Sequence, residues 1–254
     1  MAVDTRAFLE SVNFEEELAS NEAIAEAPPT PGLDLDKLPP AVVSGTTLID
    51  FSATPSATIR SSVSLAMLFA ARVASKAMAA KPDADDDDWL AAYTSNLAQL
   101  GFAMTGSSVT QSKFKKTGIE VHKAIIPFLT IAFGGAAIGP VILAGLENLR
   151  SMNESDPWIA LFDKETRRFT AQEMHFAAVS SDEQTTVIRY AIARIDVETS
   201  KTTILFFKLG KTNATFESAT KTLTAGNSFL DLLEPQLRDK LKTLATMFIA
   251  QAEL

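Results

Sequence analysis

Two histidines, His122 and His175, are the only side chains that titrate near neutral pH, because the chain contains no cysteine. The lack of cysteine also excludes disulfides, thiol nucleophiles, thiolate zinc sites and S-acylation. His175 lies in a segment with strand periodicity, on the same face as Glu173, and we interpret it as a hydrogen-bonded structural histidine. His122 stands just ahead of a long apolar stretch and could sense pH, although a surface position at a helix start is the simpler interpretation.

A dense acidic run, residues 83–88, could in principle bind calcium or cap a helix. A calcium loop of the EF-hand type needs a glycine at its sixth position and a glutamate at its twelfth. Counted from Asp83, these positions hold Asp87 and Thr94. Aspartates at a helix start accept hydrogen bonds from free backbone N–H groups and complement the helix dipole. We therefore predict a capped helix and no metal site.

The sequence contains no motif of a familiar catalytic site. We find no nucleophile elbow, phosphate-binding loop, dinucleotide fingerprint or HExxH pattern. The acidic residues are too many and too scattered for one pair to be singled out. We therefore predict no catalytic residues, and we predict that the protein is not an enzyme.

The stretch Ala124–Leu146 is uncharged over a length that could cross a bilayer as a helix. Pro127, Gly134, Gly135 and the pair Gly139–Pro140 interrupt it, so we predict two apolar helices joined by a flexible corner. Pro140 suits the first turn of the second helix. This hairpin is the predicted lipid-binding site, formed by Ile125, Ile126, Phe128, Leu129, Ile131, Phe133, Ile138, Val141 and Ile142. It could hold a fatty acid non-covalently, and no other cofactor is predicted.

Composition narrows the classes of partner. The chain has 254 residues, 46% of them hydrophobic and 21% charged, and a net charge of −8. These values are typical of a globular protein, and the absence of a dense basic cluster argues against nucleic-acid binding. No secretory signal is recognisable at the N-terminus, so we expect synthesis in the cytoplasm and any release by a route without such a signal.

The organisation predicted is an α/β (α+β) fold. Residues 1–40 form an N-terminal helical arm, with a helix within 4–26, and a proline-rich linker. Residues 41–254 form one domain with a helical part at 56–152, a sheet at 158–223 and closing helices at 227–252.

Within this domain, Ser56–Lys81 reads as a buried helix and residues 105–117 as a loop. Five antiparallel strands are predicted at 158–163, 168–180, 185–196, 202–209 and 213–223, the last of them at an edge. A break is expected at Pro235, between two closing helices.

The helix that follows the acidic run resembles one in the virulence factor Evf family. The resemblance lies in Trp89–Tyr93 with Leu97 and Leu100–Phe102, and in the later order of apolar helices, a sheet opening at Trp158 and a closing helix. It covers about residues 80–250. It implies an α/β protein of unusual fold, non-enzymatic, associated with host colonisation and with membranes through a fatty-acyl chain on a cysteine. This chain has no cysteine, so that thioester cannot form.

Taken together, these features predict a non-enzymatic, membrane- or lipid-interacting protein of virulence-factor type that acts through the apolar hairpin. Three alternatives stay open at this point. The hairpin could be the ordinary core of a soluble interaction module, the hidden segment of a pore-forming toxin, or part of a hydrolase without a recognisable motif. No particular protein partner is predicted.

Overall fold

A mixed seven-stranded sheet forms the centre of the computed structural model, in the order β3-β6-β5-β4-β2-β1-β7. Neighbouring strands are antiparallel except β2 and β4, which are parallel. The strands are β1 Ala41–Ser44, β2 Thr47–Ala53, β3 Ala103–Phe114, β4 Gln172–Ser181, β5 Thr185–Ile195, β6 Ala214–Gly226 and β7 Ile249–Gln251. The structure describes residues 4–14, 33–54, 56–81, 83–114, 120–133, 140–148, 152, 156–167, 169, 172–195 and 214–252.

Helices cover both faces of the sheet. They are α1 Thr5–Ser11, α2 Ala57–Ala79, α3 Asp86–Gln99, α4 Val121–Ala132, α5 Pro140–Asn148, α6 Pro157–Thr166 and α7 Asn227–Phe248. One apolar cluster joins α1, α2, α3 and α7 to the first face. A second cluster joins α4, α5 and α6 to the other face. The predicted α/β (α+β) class is therefore correct, whereas the sheet has seven strands rather than five and is not wholly antiparallel.

Strand β5 shows how the sequence divides these two layers. Side chains along a strand alternate between the two faces of a sheet. Ile188, Tyr190 and Ile192 enter the first cluster, while Ala191 and Ala193 enter the second. The alternation expected from the sequence is confirmed.

Local signals place α2 and α3. The Ser56 hydroxyl accepts a hydrogen bond from the Ile59 N–H at 3.3 Å, which caps α2. Asp85 and Asp88 form a reciprocal capping box at the start of α3. Both helices were predicted, and the acidic run serves as the expected cap.

Helix α7 continues through Pro235, so the predicted break there is wrong. Proline removes one backbone donor, but a helix can persist if its packing compensates. Buried leucines on both sides of Pro235, Leu233 and Leu237, hold the helix against the first cluster. The Ser62 hydroxyl of α2 also donates to the Leu230 carbonyl of α7 at 2.6 Å.

Other expectations are corrected by the sheet. Residues 158–163, predicted as a strand, lie in α6, where Pro157 occupies the first turn. Of residues 105–117, predicted as a loop, residues 105–114 lie in β3 and residues 115–117 lie outside the described part of the chain. The strand predicted at 213–223 is β6, which lies between β3 and β5 and not at an edge. The strand predicted at 202–209 lies outside the described residues.

The domain subdivisions change accordingly. The predicted helical part, residues 56–152, also contains strand β3. The sheet is not confined to residues 158–223, because β1, β2, β3 and β7 belong to it. The closing segment, residues 227–252, ends in the strand β7. In the N-terminal arm, the described helix is Thr5–Ser11, and residues 15–32 lie outside the described part. Leu9 and Phe14 are buried in the first cluster, so this arm contributes to the core.

Candidate functional site

The predicted apolar hairpin forms a layer over the second face of the sheet. Ile125, Leu129, Phe133 and Ile142 are each at most 4% exposed and pack in the second cluster. Ile126 is half-buried against the same cluster. Phe128, Ile131 and Val141 lie on α4 or α5, but their side chains are outside the described part, and Ile138 is wholly outside it. The inner side of the hairpin is therefore protein core.

Between Lys123 in the first turn of α4 and Glu147 near the end of α5, the described outward residues of the same helices are also largely apolar. Ile126, Leu143 and Ala144 are half-buried, and Pro127 is exposed. A helix covering a sheet in water normally carries charged or polar residues on its solvent side. Here the sequence holds no charged residue at all from Ala124 to Leu146. This outward surface, defined by Ile126, Pro127, Thr130, Leu143 and Ala144, is called the outer hairpin surface below.

Thr130 is the one hydrogen-bonding side chain of the outer hairpin surface. Its hydroxyl donates to the carbonyl of Ile126, one turn earlier in α4, at 2.8 Å. A Thr or Ser hydroxyl bonded in this way to its own helix can enter an apolar medium without losing its hydrogen bond. The outer hairpin surface is therefore apolar in chemistry as well as in composition.

His122 lies at the start of α4 and is fully buried, which corrects the expectation of a surface position. Its Nε2 lies 3.5 Å from a carboxylate oxygen of Glu120. The same Glu120 carboxylate binds Nζ of Lys123 at 2.9 Å. The apolar residues that follow His122 pack against the sheet and hold the first turn of α4 there, which explains the burial of His122. Its role as a pH sensor stays a prediction.

A second polar cluster centres on His175, within the first face of the sheet. The His175 imidazole contacts Glu173 through Nε2 at 2.7 Å, and the Tyr190 hydroxyl through Nδ1 at 2.6 Å. The hydroxyl of Thr46 also lies 3.0 Å from Nδ1. Arg194 then binds Glu173 at 2.8 Å and Asp87, at the start of α3, at 3.0 Å. Both nitrogens of His175 therefore have protein partners, as the structural interpretation predicted.

Aromatic rings enclose this imidazole. The centroid of the imidazole ring lies 5.3, 6.4, 5.4 and 5.7 Å from the ring centroids of Trp89, Tyr93, Phe169 and Tyr190, respectively. Trp89 and Tyr93 come from α3, whose first turn contains Asp87. The aromatic residues of α3 thus close the cluster from above the sheet.

The electrostatics of the cluster keep its carboxylate ionised. Burial alone would raise the pKa of Glu173, but the hydrogen bond and charge of His175, together with Arg194, outweigh burial and lower that pKa. Burial raises the pKa of Tyr93 and of Tyr190, and the Glu173 charge raises the pKa of Tyr190 further. Both phenols are therefore neutral at physiological pH.

Thr46, His175 and Glu173 have the order of hydroxyl, imidazole and carboxylate that proton-transfer chemistry uses. All three are nearly or fully buried, with exposures of 3%, 0% and 0%. A substrate must reach the reacting hydroxyl for such a set to work. The two described clefts, of 680 and 540 Å³, lie elsewhere, along α7. The arrangement supports a structural network that fixes α3 on the sheet.

Sequence reasoning found only part of this network. The spacing of Glu173 and His175, two residues apart in a strand, placed them on one face. Thr46, Tyr190 and Arg194 were missed because their proximity depends on the pairing of β4 with β2 and β5. No sequence signal specified the parallel pairing of β2 with β4.

Two further searches bear on ligands and membranes. Within the described part of the chain, no group of three or more His, Asp or Glu residues could hold a metal ion. Among the described helices, Ala57–Ala79 alone is long and apolar enough to cross a membrane, and 67% of its most apolar 18-residue stretch is buried. The core helix of a soluble protein meets the same criterion.

No protein-family model and no curated protein matches the chain. Among solved structures, the chain is similar to that of the Evf virulence factor, with 14% identity and a TM-score of 0.36, over 93% of this chain and 90% of that one. It is also similar to a delta-endotoxin, with 11% identity and a TM-score of 0.33, over 71% of this chain and 79% of that one. The sequence resemblance to the Evf family is thus accompanied by a remote structural likeness only.

Proposed function

We propose that this protein interacts with membranes through the α4–α5 hairpin. The observation that carries the proposal is the uncharged outer hairpin surface: Ile126, Pro127, Thr130, Leu143 and Ala144 are half-buried or exposed on helices whose inner side is core. An apolar surface of this kind is typical of a lipid or protein contact site. Lipid is favoured because the Thr130 hydroxyl keeps its hydrogen bond within α4 and can therefore enter an apolar medium.

The proposal has two stages that differ in free energy. Contact through the outer hairpin surface requires no change of fold. Full insertion would also uncover the inner side chains Ile125, Leu129, Phe133 and Ile142, at roughly 1.5–3 kcal/mol each, or about 6–12 kcal/mol in total. Only a bilayer that receives the same side chains could offset that cost. We therefore propose surface contact as the first event and insertion as a consequence of it.

The charge of the protein indicates which lipid to test. With a net charge of −8, the chain is repelled by anionic headgroups unless a basic patch opposes them. We expect binding to zwitterionic phosphatidylcholine vesicles, and weaker binding when anionic lipid is added at low salt. A fatty acid is the small-molecule counterpart of this partner, and native mass spectrometry of the purified protein tests whether one is retained.

The decisive experiment is vesicle flotation with a matched pair of variants. Leu143→Asp places a charge on the outer hairpin surface, at a half-buried position. Leu232→Asp makes the same change on α7, on the opposite face of the sheet, where Leu232 is 71% exposed. We expect Leu143→Asp to lose flotation and Leu232→Asp to retain it. Thermal unfolding of both variants checks that they remain folded.

Two results would overturn the proposal. One is a folded wild-type protein that floats with neither vesicle composition. The other is equal loss of flotation in the two variants, because the outer hairpin surface would then have no special part. Release of an encapsulated dye by the same vesicles separates pore formation from surface contact.

A further inference from the structure

Both tyrosines of the chain lie in one aromatic stack with Trp89, on the first face of the sheet. The ring of Tyr93 is stacked on that of Trp89, with centroids 5.0 Å apart and planes at 11°. The ring of Tyr190 lies 5.6 Å from that of Tyr93. Trp89 is 5% exposed, whereas Tyr93 and Tyr190 are 0% and 2% exposed. Three oxidisable rings thus form a continuous path from Trp89, the outermost, to Tyr190 on β5.

The hydrogen bonds of His175 decide which of its nitrogens can accept a proton. The ionised Glu173 carboxylate only accepts hydrogen bonds, so Nε2 of His175, 2.7 Å away, carries a hydrogen. In the neutral imidazole the other nitrogen, Nδ1, then has a lone pair. The nearer hydroxyl to Nδ1 is that of Tyr190, at 2.6 Å, against 3.0 Å for that of Thr46. Tyr190 therefore donates its phenolic hydrogen to Nδ1.

The network around His175 is suited to receive that proton. A phenol that has lost an electron is a strong acid, so a buried tyrosine is readily oxidised only where its proton has an acceptor. A protonated imidazole in the core is costly unless a carboxylate pairs with it, and Glu173 is in place to do so. Arg194 binds Glu173 at 2.8 Å and Asp87 at 3.0 Å. With His175 protonated, opposite charges alternate along the four side chains from His175 to Asp87 and sum to zero.

We propose that Tyr190 is a redox-active residue that gives up one electron to a one-electron oxidant at the protein surface. The electron leaves through the rings of Tyr93 and Trp89 and reduces the oxidant by one electron. The O–H bond of Tyr190 breaks, its proton forms a bond with Nδ1 of His175, and Tyr190 becomes a neutral phenoxyl radical. A reductant that returns the electron brings the proton back to the phenol oxygen. This site lies on the opposite face of the sheet from the hairpin and does not depend on membrane contact.

Photo-oxidation with tris(bipyridyl)ruthenium(III), generated by light in the presence of persulfate, tests the proposal. The net charge of −8 attracts this cationic oxidant to the protein surface. We expect electron paramagnetic resonance of rapidly frozen samples to show a tyrosyl radical in wild type and a loss of that signal in Tyr190→Phe. The signal should form more slowly in heavy water, because a proton moves with the electron. High-field spectra of the wild-type radical should show a hydrogen bond to its oxygen, a measurement that needs no variant to fold.

A matched pair of tryptophan variants tests the route of the electron. Trp89→Phe shortens the path at its outer end. Trp158→Phe makes the same change at the other tryptophan of the chain, which is 3% exposed and packs in the second cluster. We expect Trp89→Phe to lose most of the tyrosyl signal and Trp158→Phe to retain it.

His175→Gln tests the proton acceptor, because an amide is not a base. This variant should lose the tyrosyl signal although Tyr190 is still present, and thermal unfolding checks that it remains folded. The proposal is overturned if wild type yields no tyrosyl radical, if Tyr190→Phe keeps the wild-type signal, or if the two tryptophan variants lose it equally. A folded His175→Gln with the wild-type signal would also overturn it.

Discussion

Nε2 of His175 lies 2.7 Å from Oε1 of Glu173, two residues earlier on β4, and both side chains are fully buried. The other oxygen of Glu173 accepts a hydrogen bond from Nε of Arg194 at 2.9 Å. A buried carboxylate is stable only with such partners, because removing it from water without them is costly. This contact therefore makes the stability of the sheet dependent on the ionised state of one carboxyl group.

The first prediction concerns Glu173→Gln. Breaking a buried charge pair by removing one partner costs about 3 kcal/mol, and we expect a loss of that order in the free energy of unfolding at neutral pH. The folded-state pKa of Glu173 is lowered below 4.5, so its contribution is complete above that value and is lost as pH falls through the folded-state pKa. Urea unfolding at several pH values should show wild type and variant converging only in acid.

Asp87→Asn provides the control for this prediction. Asp87 binds the same Arg194, but its side chain is 78% exposed. Exposed ion pairs contribute about 0–1 kcal/mol, so this variant should lose little stability at any pH. A loss in Asp87→Asn as large as that in Glu173→Gln would contradict the view that the buried end of the network matters.

A second prediction concerns the buried pair Arg72 and Glu165. Their closest atoms are 3.7 Å apart, and the Arg72 guanidinium lies 4.3 Å from the centroid of the Phe248 ring. Arg72 belongs to α2 and Glu165 to α6, so the pair links the helix layers of the two faces. We expect Glu165→Leu alone to cost about 3–5 kcal/mol, because the Arg72 charge stays buried.

The double variant Arg72→Met, Glu165→Leu should recover much of that loss. Replacing both members of a buried ion pair with apolar residues is often neutral or stabilising. A double-mutant cycle by urea unfolding measures the coupling. If the losses of unfolding free energy in Arg72→Met and Glu165→Leu sum to the loss in the double variant within about 0.5 kcal/mol, the two side chains act independently and the prediction is wrong.

Elements with local signals were predictable from the sequence. Ser56 and Asp85 cap the helices they precede, and residues 182–184 form a short connection that makes β4 and β5 antiparallel neighbours. The missed elements depend on distant partners. Val42 pairs with Gln251, and Ala103 pairs with Thr224, contacts that no nearby residue specifies.

The candidate site was predictable in composition but not in orientation. Between Lys123 and Glu147 the sequence of α4 and α5 is apolar all round, so its pattern does not show which side faces the sheet. The prediction of a strand at 158–163 was wrong for a related reason, because a short apolar run fits a strand or a helix equally well. Packing against β1, β4 and β7 made it the helix α6.

A third prediction concerns Gly101, which follows α3. Its φ is +86°, and a Cβ there would lie 2.6 Å from the Phe229 ring. A side chain at this backbone angle costs about 1–2 kcal/mol, and the contact adds to that cost. We expect Gly101→Ala to lower the free energy of unfolding by about 2 kcal/mol or more. Adding Phe229→Ala should relieve the contact but not the backbone strain.

The outcome is read from thermal or urea unfolding of four proteins: wild type, the two single variants and the double variant. Phe229→Ala should lower the free energy of unfolding less when it is introduced into Gly101→Ala than when it is introduced into wild type. Equal losses would mean that the ring moves aside freely and that strain at Gly101 accounts for the whole effect.

The last prediction concerns His122 and the pH dependence of vesicle binding. Protonating a fully buried imidazole is costly unless a carboxylate pairs with it. A carboxylate oxygen of Glu120 lies 3.5 Å from Nε2 of His122 and also binds Lys123 at 2.9 Å, so protonation of His122 would change a pair that Glu120 already shares. Protonation should therefore loosen the start of α4 from the sheet, and flotation should be stronger at about pH 5 than at about pH 7.

His122→Gln removes the titrating group and keeps a polar side chain of similar size. We expect this variant to float to the same extent at both pH values, whereas Glu173→Gln should keep the wild-type difference, because Glu173 lies on the other face of the sheet. Zwitterionic phosphatidylcholine vesicles are used for both variants, because their headgroups do not titrate between these pH values and any difference in flotation then comes from the protein. If His122→Gln still floats more strongly at the lower pH, the pH dependence comes from another titrating group. The outer hairpin surface would then remain the proposed binding site, but His122 would not control it.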